Sequence, residues 1–193
     1  SEEMAKLVAR GARQFKFVDR TFNLKTSTSL RILNFFLDVM TPGMFVHFEV
    51  VPDRLAPAIV DCIAKFPPGT IQLELGIQTF NPEVAGHIQR RQNYEKLGLN
   101  MVALRTQTAA HIHADLIAGL PGETVDSFVE GFNRLVALGP QEIQVGFLKR
   151  LRGTPITRHT QVFEMLYEKE APYEVIRTST MTKQELAALD RFA

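Results

Sequence analysis

The sequence predicts an α/β fold, a partial, open parallel (β/α) barrel of TIM-like type with five strands present. Three observations lead to it. Runs of strand length, rich in apolar, β-branched and aromatic residues, recur at 15–18, 45–51, 71–77, 112–117 and 143–148. Stretches with apolar residues at i, i+3 and i+4 lie between them, so strand and helix alternate with a repeat of roughly 25–40 residues, the βα spacing of a parallel sheet. Gly and Pro punctuate the junctions, as at Pro42-Gly43, Pro67-Pro68-Gly69 and Gly139-Pro140.

Met4, Leu7, Val8 and Ala12 set a helix over 4–12, so the chain opens on a helix with no strand before it. In an α/β protein this order predicts a first strand upstream of Ser1, in a longer protein. After the short strand 15–18 and a loop at 19–23, Leu30, Leu33, Phe36, Leu37 and Met40 mark a helix that Pro42-Gly43 closes. Strand 45–51 ends at Pro52-Asp53, and a helix through Leu55, Ile59, Ile63 and Phe66 tolerates Pro57 only near its first turn. Strand 71–77 runs into the loop Gln78-Thr79-Phe80. Asn81-Pro82 is an N-cap followed by a first-turn proline, and Asn93 is a second N-cap ahead of Leu97, Met101 and Leu104.

Strand 112–117 enters the turn Gly119-Leu120-Pro121-Gly122, where glycine permits a left-handed backbone or close approach of a ligand and Pro121 stiffens the bend. Thr124 then caps a helix carried by Val125, Phe128, Val129, Phe132, Leu135 and Val136. Such a strand–turn–helix junction is where α/β proteins keep ligand sites, and it is also an ordinary connection in any of them. Strand 143–148 is followed by the loop 149–155, helix signals over 162–167, an unassigned stretch, and a terminal helix through Leu186 and Leu189 opened by a Thr182/Glu185 capping box.

A length of 193 residues suits a single domain over 1–193, and 45% hydrophobic with 22% charged residues is a globular composition. With 22 basic against 21 acidic residues the net charge is +1, which leaves no electrostatic footprint for nucleic acid or membrane and makes a small-molecule or protein partner the default. Cys62, the only cysteine, lies in an apolar helical stretch and reads as a buried structural thiol. No apolar run approaches the ~20 residues of a membrane span, and Ser1-Glu2-Glu3 does not open a signal sequence, so the expected compartment is the cytoplasm.

Along the strands polar residues recur at period two: His47 and Glu49; Gln72, Glu74, Gly76 and Gln78; His113 and Asp115; Gln144 and Gly146. Residues two apart share a face, so one face of the sheet is polar where a closed barrel is filled by aliphatic side chains. This predicts a wide, incompletely closed barrel with a wet lumen that holds a ligand. The competing reading is a network in which these groups satisfy one another. His111 and His113 have no third ligand at metal spacing, which favours satisfied core histidines over a metal site.

In that order, Gly76-Ile77-Gln78-Thr79-Phe80-Asn81-Pro82-Glu83-Val84, Ile88-Gln89-Arg90, Asp115-Leu116-Ile117-Ala118-Gly119-Leu120-Pro121-Gly122-Glu123-Thr124 and Gly153-Thr154-Pro155 resemble the second half of the radical S-adenosylmethionine (SAM) core. The loops Val18-Asp19-Arg20-Thr21-Phe22 and Phe48-Glu49-Val50-Val51-Pro52-Asp53 resemble the branch often found behind a cobalamin-binding domain. The resemblance covers nearly the whole chain, but the Cys-x3-Cys-x2-Cys loop that holds the family's [4Fe-4S] cluster does not appear, and Cys62 cannot replace three thiolates. It implies a truncated core from an Fe-S oxidoreductase that reductively cleaves SAM to a deoxyadenosyl radical. The cluster, and compatibly a cobalamin, would belong to the longer protein only, and the substrate is unknown.

By motif position the resemblance implies that Glu49, Gln78, Thr79 and Arg90, the last in the helix after strand 71–77, face the polar groups of SAM. It implies that Ile117, Gly119, Gly146 and Phe147 flank its adenine. With the first strand missing, the open sheet edge would allow self-association. Two other classes fit the same residues: a cluster-less barrel that serves as a binding module, and a small-molecule enzyme of another α/β barrel family.

Overall fold

The computed structural model describes residues 2–18 and 21–192. Its strands are β1 Gln14–Lys16, β2 Phe45–Val50, β3 Ile71–Gln78, β4 His111–Ala118 and β5 Glu142–Phe147, which form one parallel sheet in the order β1-β2-β3-β4-β5. Sequential order is what right-handed βα crossovers impose on successive repeats. Register runs Gln14↔Phe45 to Lys16↔His47 and Val46↔Ile71 to Val50↔Leu75. The helices are α1 Glu2–Ala9, α2 Thr26–Val39, α3 Pro57–Ile63, α4 Pro82–His87, α5 Tyr94–Gln107, α6 Val125–Leu138 and α7 Lys183–Phe192, and β6 Leu166–Tyr167 pairs antiparallel with β7 Val175–Arg177. No described helix is long and apolar enough to cross a membrane.

The chain divides into two units, one of residues up to 76 with 93–114 and 138–142, the other of 77–92, 115–137 and the residues from 143 on. In the first, an aromatic cluster fills the space between sheet and helix: Phe22 stacks on Phe48 with ring centroids 4.0 Å apart, and Phe36 meets Phe15 at 5.0 Å. The chain between β1 and α2 is tied down by Asn23, whose buried amide acts as a substitute backbone: Nδ2 donates to the Val51 carbonyl at 2.8 Å and Oδ1 accepts from the Val51 amide at 2.9 Å. Ser29 Oγ donates to the Phe22 carbonyl at 2.9 Å from the first turn of α2. Asp19 and Arg20, which belong to one of the resembling loops, lie outside the described residues.

Several expected boundaries move for local reasons. Helix α1 stops at Ala9, ahead of Gly11 at φ +93°, and buries none of its residues. Helix α3 is shorter than the 55–66 pattern, because Pro52–Arg54 forms a separate 3-10 turn and Pro57 takes the first helical position. The helix expected over 162–167 is absent: Glu164 at φ +46° interrupts it, and the chain enters β6 with Met165 and Tyr167 buried while Val162 and Leu166 are exposed. Cys62 is buried, and its thiol lies 3.7 Å from Asn34 Oδ1.

In the first unit several groups of the polar face lie close to one another, as the competing reading of the sequence expects. Glu74 Oε2 lies 2.9 Å from His47 Nε2 and 3.7 Å from Lys16 Nζ. Gln72 Nε2 meets His113 Nδ1 at 3.3 Å, and Glu142 Oε2 sits 3.3 Å from His111 and 3.8 Å from His113. Burial is the first cause that lowers the pKa of His47 and the charge of Lys16 the second, so its imidazole is neutral near pH 7.

Replacing Asn23 by Ala would orphan both backbone groups of Val51. Leaving two buried polar groups unpaired costs on the order of 2–4 kcal/mol, so urea denaturation of Asn23→Ala should show a loss of that size with native secondary structure by circular dichroism.

Candidate functional site

In the second unit the chain leaves β3 through Gln78, whose φ of +72° is a left-handed conformation that a non-glycine residue adopts at a cost on the order of 1 kcal/mol. Thr79 follows, only 2% exposed. Its hydroxyl donates to Glu123 Oε1 at 2.6 Å and accepts the Asn81 amide at 3.0 Å. Asn81 caps α4 by accepting the amides of Glu83 and Val84, with Pro82 in the first turn as the sequence predicts.

The turn after β4 faces this strand end. Gly119 and Gly122 take φ of +79° and +80°, the Glu123 amide donates to the Leu120 carbonyl at 3.1 Å, and Thr124 Oγ1 accepts the Ser127 amide at 3.2 Å to open α6. A side chain at Gly119 would collide with Val175 of β7, and one at Gly122 would approach Phe163 at 3.0 Å. Glu123 is 1% exposed, its carbonyl accepts the Thr180 hydroxyl at 2.7 Å, and its Oε2 is buried with no hydrogen-bond partner among the described residues. Burial pushes its carboxyl up to about 7, against the smaller opposing pull of the Thr79 bond.

Four side chains that no sequence signal marked brace the turn from outside. His87 Nδ1 lies 2.9 Å from the Pro121 carbonyl, which can only accept, so Nδ1 carries the proton. The His87 carbonyl receives His159 Nε2 at 2.8 Å and Arg158 Nη2 at 3.1 Å, and Phe163 stacks obliquely on His87 with centroids 4.8 Å apart. These residues sit far apart in sequence, on α4 and in the loop after β5, and only the fold brings them to the turn.

Of the residues singled out in the sequence, Gln78, Thr79 and the Gly119 turn come together through the Thr79–Glu123 contact. Ile117 is half-buried in β4, two residues before Gly119 and on the same face. Gly146 is half-buried in β5, its missing Cβ 3.8 Å from the Leu116 carbonyl. Phe147 lines a cavity of about 180 Å³ with Glu168, Glu174, Ile176, Lys183 and Leu186, none of them in the turn. Arg90 is not in a helix: α4 ends at His87, Gln89 turns left-handed at φ +56°, and the Arg90 amide closes on the Ala85 carbonyl at 2.8 Å. Glu49 belongs to the first unit, half-buried in β2 and paired in register with Glu74.

Left-handed backbone, a buried carboxyl and a glycine turn at the carboxyl ends of parallel strands define the kind of ligand site that α/β sheets build. No protein-family model matches the chain. In sequence it is similar to the oxygen-independent coproporphyrinogen III oxidase of Paracoccus denitrificans, 28% identical over 104 residues, which are 54% of this chain and 23% of the relative. The corresponding protein of Bradyrhizobium diazoefficiens is 32% identical over 104 residues, with the same shares of 54% and 23%. In structure it is similar to the Escherichia coli coproporphyrinogen III oxidase HemN, a radical SAM enzyme, at 22% identity and TM-score 0.63, covering 88% of this chain and 36% of that one. It is likewise similar to the radical SAM methyltransferase TsrM of Kitasatospora setae, solved with cobalamin and a [4Fe-4S] cluster, at 14% identity and TM-score 0.69, covering 94% and 37%. At these identities the structural likeness is one of fold, and the matched segment spans about a quarter (23%) of the curated relatives. In sequence the chain is similar to coproporphyrinogen III oxidases, and in fold it is similar to radical SAM enzymes, with the same TIM-like arrangement of a parallel sheet and surrounding helices.

The donor set of this chain does not fit an iron-sulfur cluster. Such a cluster is held by thiolates, whereas the single cysteine is buried and its pKa is raised by that burial. Anaerobic reconstitution with iron and sulfide should therefore leave this chain far below the roughly four irons that a cysteine-held cluster brings, as measured by metal analysis.

Gly119→Ala adds left-handed strain to the collision with Val175 and should destabilise the protein by about 2–4 kcal/mol. Gly153→Ala, also at positive φ but with open space around it, should cost only about 1 kcal/mol. Parallel urea melts of the two variants check the contrast.

Proposed function

We propose that this chain is the SAM-binding core segment of a radical SAM enzyme. The observation that carries the reading is the joining of the carboxyl end of β3 to the glycine turn after β4 by the 2.6 Å Thr79–Glu123 bond, at the strand ends where the family resemblance puts SAM. The half-buried Gln78 amide can both donate to and accept from ribose hydroxyls. The turn offers backbone groups without side-chain obstruction, and Ile117 offers an apolar surface for the adenine. Bound to a reduced cluster, SAM supplies the radical chemistry, and the part of these residues is to hold and orient it. Glu49 and Arg90 enter by motif position alone.

The relatives' names point to different substrates, so the proposal commits to the cofactor and leaves the substrate open. A cobalamin domain elsewhere in a longer protein is in keeping with the branch resemblance and with the likeness to TsrM. The second reading is a cluster-less module that binds a nucleoside without cleaving it, which a longer protein lacking cluster cysteines upstream of Ser1 would favour.

Isothermal titration calorimetry with SAM, and with adenosine in parallel, tests both readings. Wild-type protein should bind SAM, and Gln78→Ala should weaken binding by about two- to tenfold, the worth of one or two neutral hydrogen bonds. Equal affinity in wild type and variant removes Gln78 from the site. Binding of adenosine as tight as that of SAM favours the module.

A further inference from the structure

Among the described residues of the second unit, Glu123 stands out as a buried carboxyl whose burial has no structural explanation of its own. A carboxyl needs two or three donors to be comfortable as an anion away from water. This one has a single donor, the Thr79 hydroxyl on Oε1, while Oε2 has none among the described residues. The residues it connects are those of the proposed ligand site. Through Thr79 it reaches the left-handed end of β3, through its backbone it closes the glycine turn, and through its carbonyl it receives Thr180 from the segment before α7.

We propose that Glu123 is a proton-linked positioning residue. Protonated, it keeps Oε2 dry and Thr79 and the end of β3 against the glycine turn in the arrangement that receives the ligand; ionised, it must take water at Oε2, and opening the buried site to that water outweighs the stronger Thr79 bond and shifts the strand end.

The balance between the two forms follows from the surroundings. The Thr79 hydroxyl strengthens its bond when the carboxyl ionises, which favours the anion, whereas burial favours the neutral acid, and burial wins, placing the transition near pH 7. The charged and titratable side chains on the neighbouring elements include Glu83 and His87 of α4, Asp126, Glu130 and Arg134 of α6, Arg158 and His159 of the loop after β5, Arg177 of β7, and Lys183 and Glu185 at the start of α7. None of them is among the causes of the shift, which are burial and Thr79. The sign is therefore set inside the site: the raised carboxyl stabilises the fold at acid pH, and that contribution is lost as pH rises through about 7.

The consequence for SAM rests on the proposed function, whereas the titration does not. If only the protonated form receives the ligand, affinity should fall by up to about thirtyfold between about pH 6 and about pH 8.5. Carbon-detected NMR of glutamate-labelled protein, read beside the Thr79 and Asn81 amides from about pH 4 to about pH 9, separates the two. The expected result is a Glu123 carboxyl that titrates near 7, with both amides moving at the same midpoint in wild type and neither moving there in Glu123→Gln. A midpoint near the ordinary carboxylate value, or amides that ignore it, overturns the proposal. Should Glu123→Gln not fold, Thr79→Val decides: loss of the donor must push the midpoint higher still, and a fall or no change overturns it. Calorimetry with SAM adds the functional arm. An affinity that drops with pH in wild type and is level in Glu123→Gln supports the positioning role, and an affinity indifferent to pH while the carboxyl titrates overturns it. Absence of SAM binding at every pH removes the SAM reading instead, and the carboxyl and amide titrations then decide by themselves whether Glu123 clamps the strand end.

Discussion

The alternation along β3 constrains the sheet more than any other interaction in it. Ile71, Leu73, Leu75 and Ile77 have no exposed surface, while Gln72, Glu74, Gly76 and Gln78 on the opposite face are half-buried. Burying each aliphatic side chain stabilises by about 1.5–3 kcal/mol, whereas a partly exposed ion pair contributes about 0–1 kcal/mol. The apolar face therefore sets the register and the polar face adapts to it, because a slip of one residue would drive Glu74 into the core. The pairing of Glu74 with His47 and Lys16 follows from that register and does not create it.

At the carboxyl ends of the strands the balance reverses. Gln78 holds a backbone conformation that costs energy, and Glu123 keeps an acid buried with half of its hydrogen-bonding capacity unused. Cores avoid such choices, and they concentrate where a protein must present polar atoms to a ligand. The brace of His87, His159, Arg158 and Phe163 around the turn supplies packing that offsets part of this strain. The apolar face of the sheet thus carries stability, while the costly choices gather at the carboxyl ends of the strands.

Most of the fold was legible because its signals are local. The N-caps at Asn81 and Asn93, the Thr182/Glu185 capping box and the proline of α4 are each read within four residues, and each forms as expected. Strand-length runs of apolar, β-branched and aromatic residues made the five strands visible for the same reason. The β6–β7 hairpin was not legible, because Val162, Leu166 and the aromatic residues near them mimic helical spacing and only the left-handed Glu164 breaks it. Within the candidate site, the glycine turn, Gln78 and Thr79 could be read from motif order, while the partner of Thr79 could not. Glu123 stands in the resembling stretch with no role of its own, and its donor lies 44 positions earlier in the chain, a pairing that only the fold makes. The polar network showed the same limit: period two reveals that the residues share a face, and only the register reveals that they pair.

The separations spanned by such buried contacts bear on how the protein comes to exist. Asn23 to Val51 closes a span of 28 residues, Thr79 to Glu123 one of 44, and Thr180 to Glu123 one of 57. Chain entropy makes each longer closure costlier, and contacts between distant positions form after local ones have reduced the search. Glu123 sits at the crossing of the two longest of these spans and is held there by side-chain and backbone oxygens that water solvates well until the last apolar neighbours arrive. The junction of β3 with the glycine turn is thus the part of the second unit that is organised late, and during synthesis it stays open until residues as distant as Thr180 have been made.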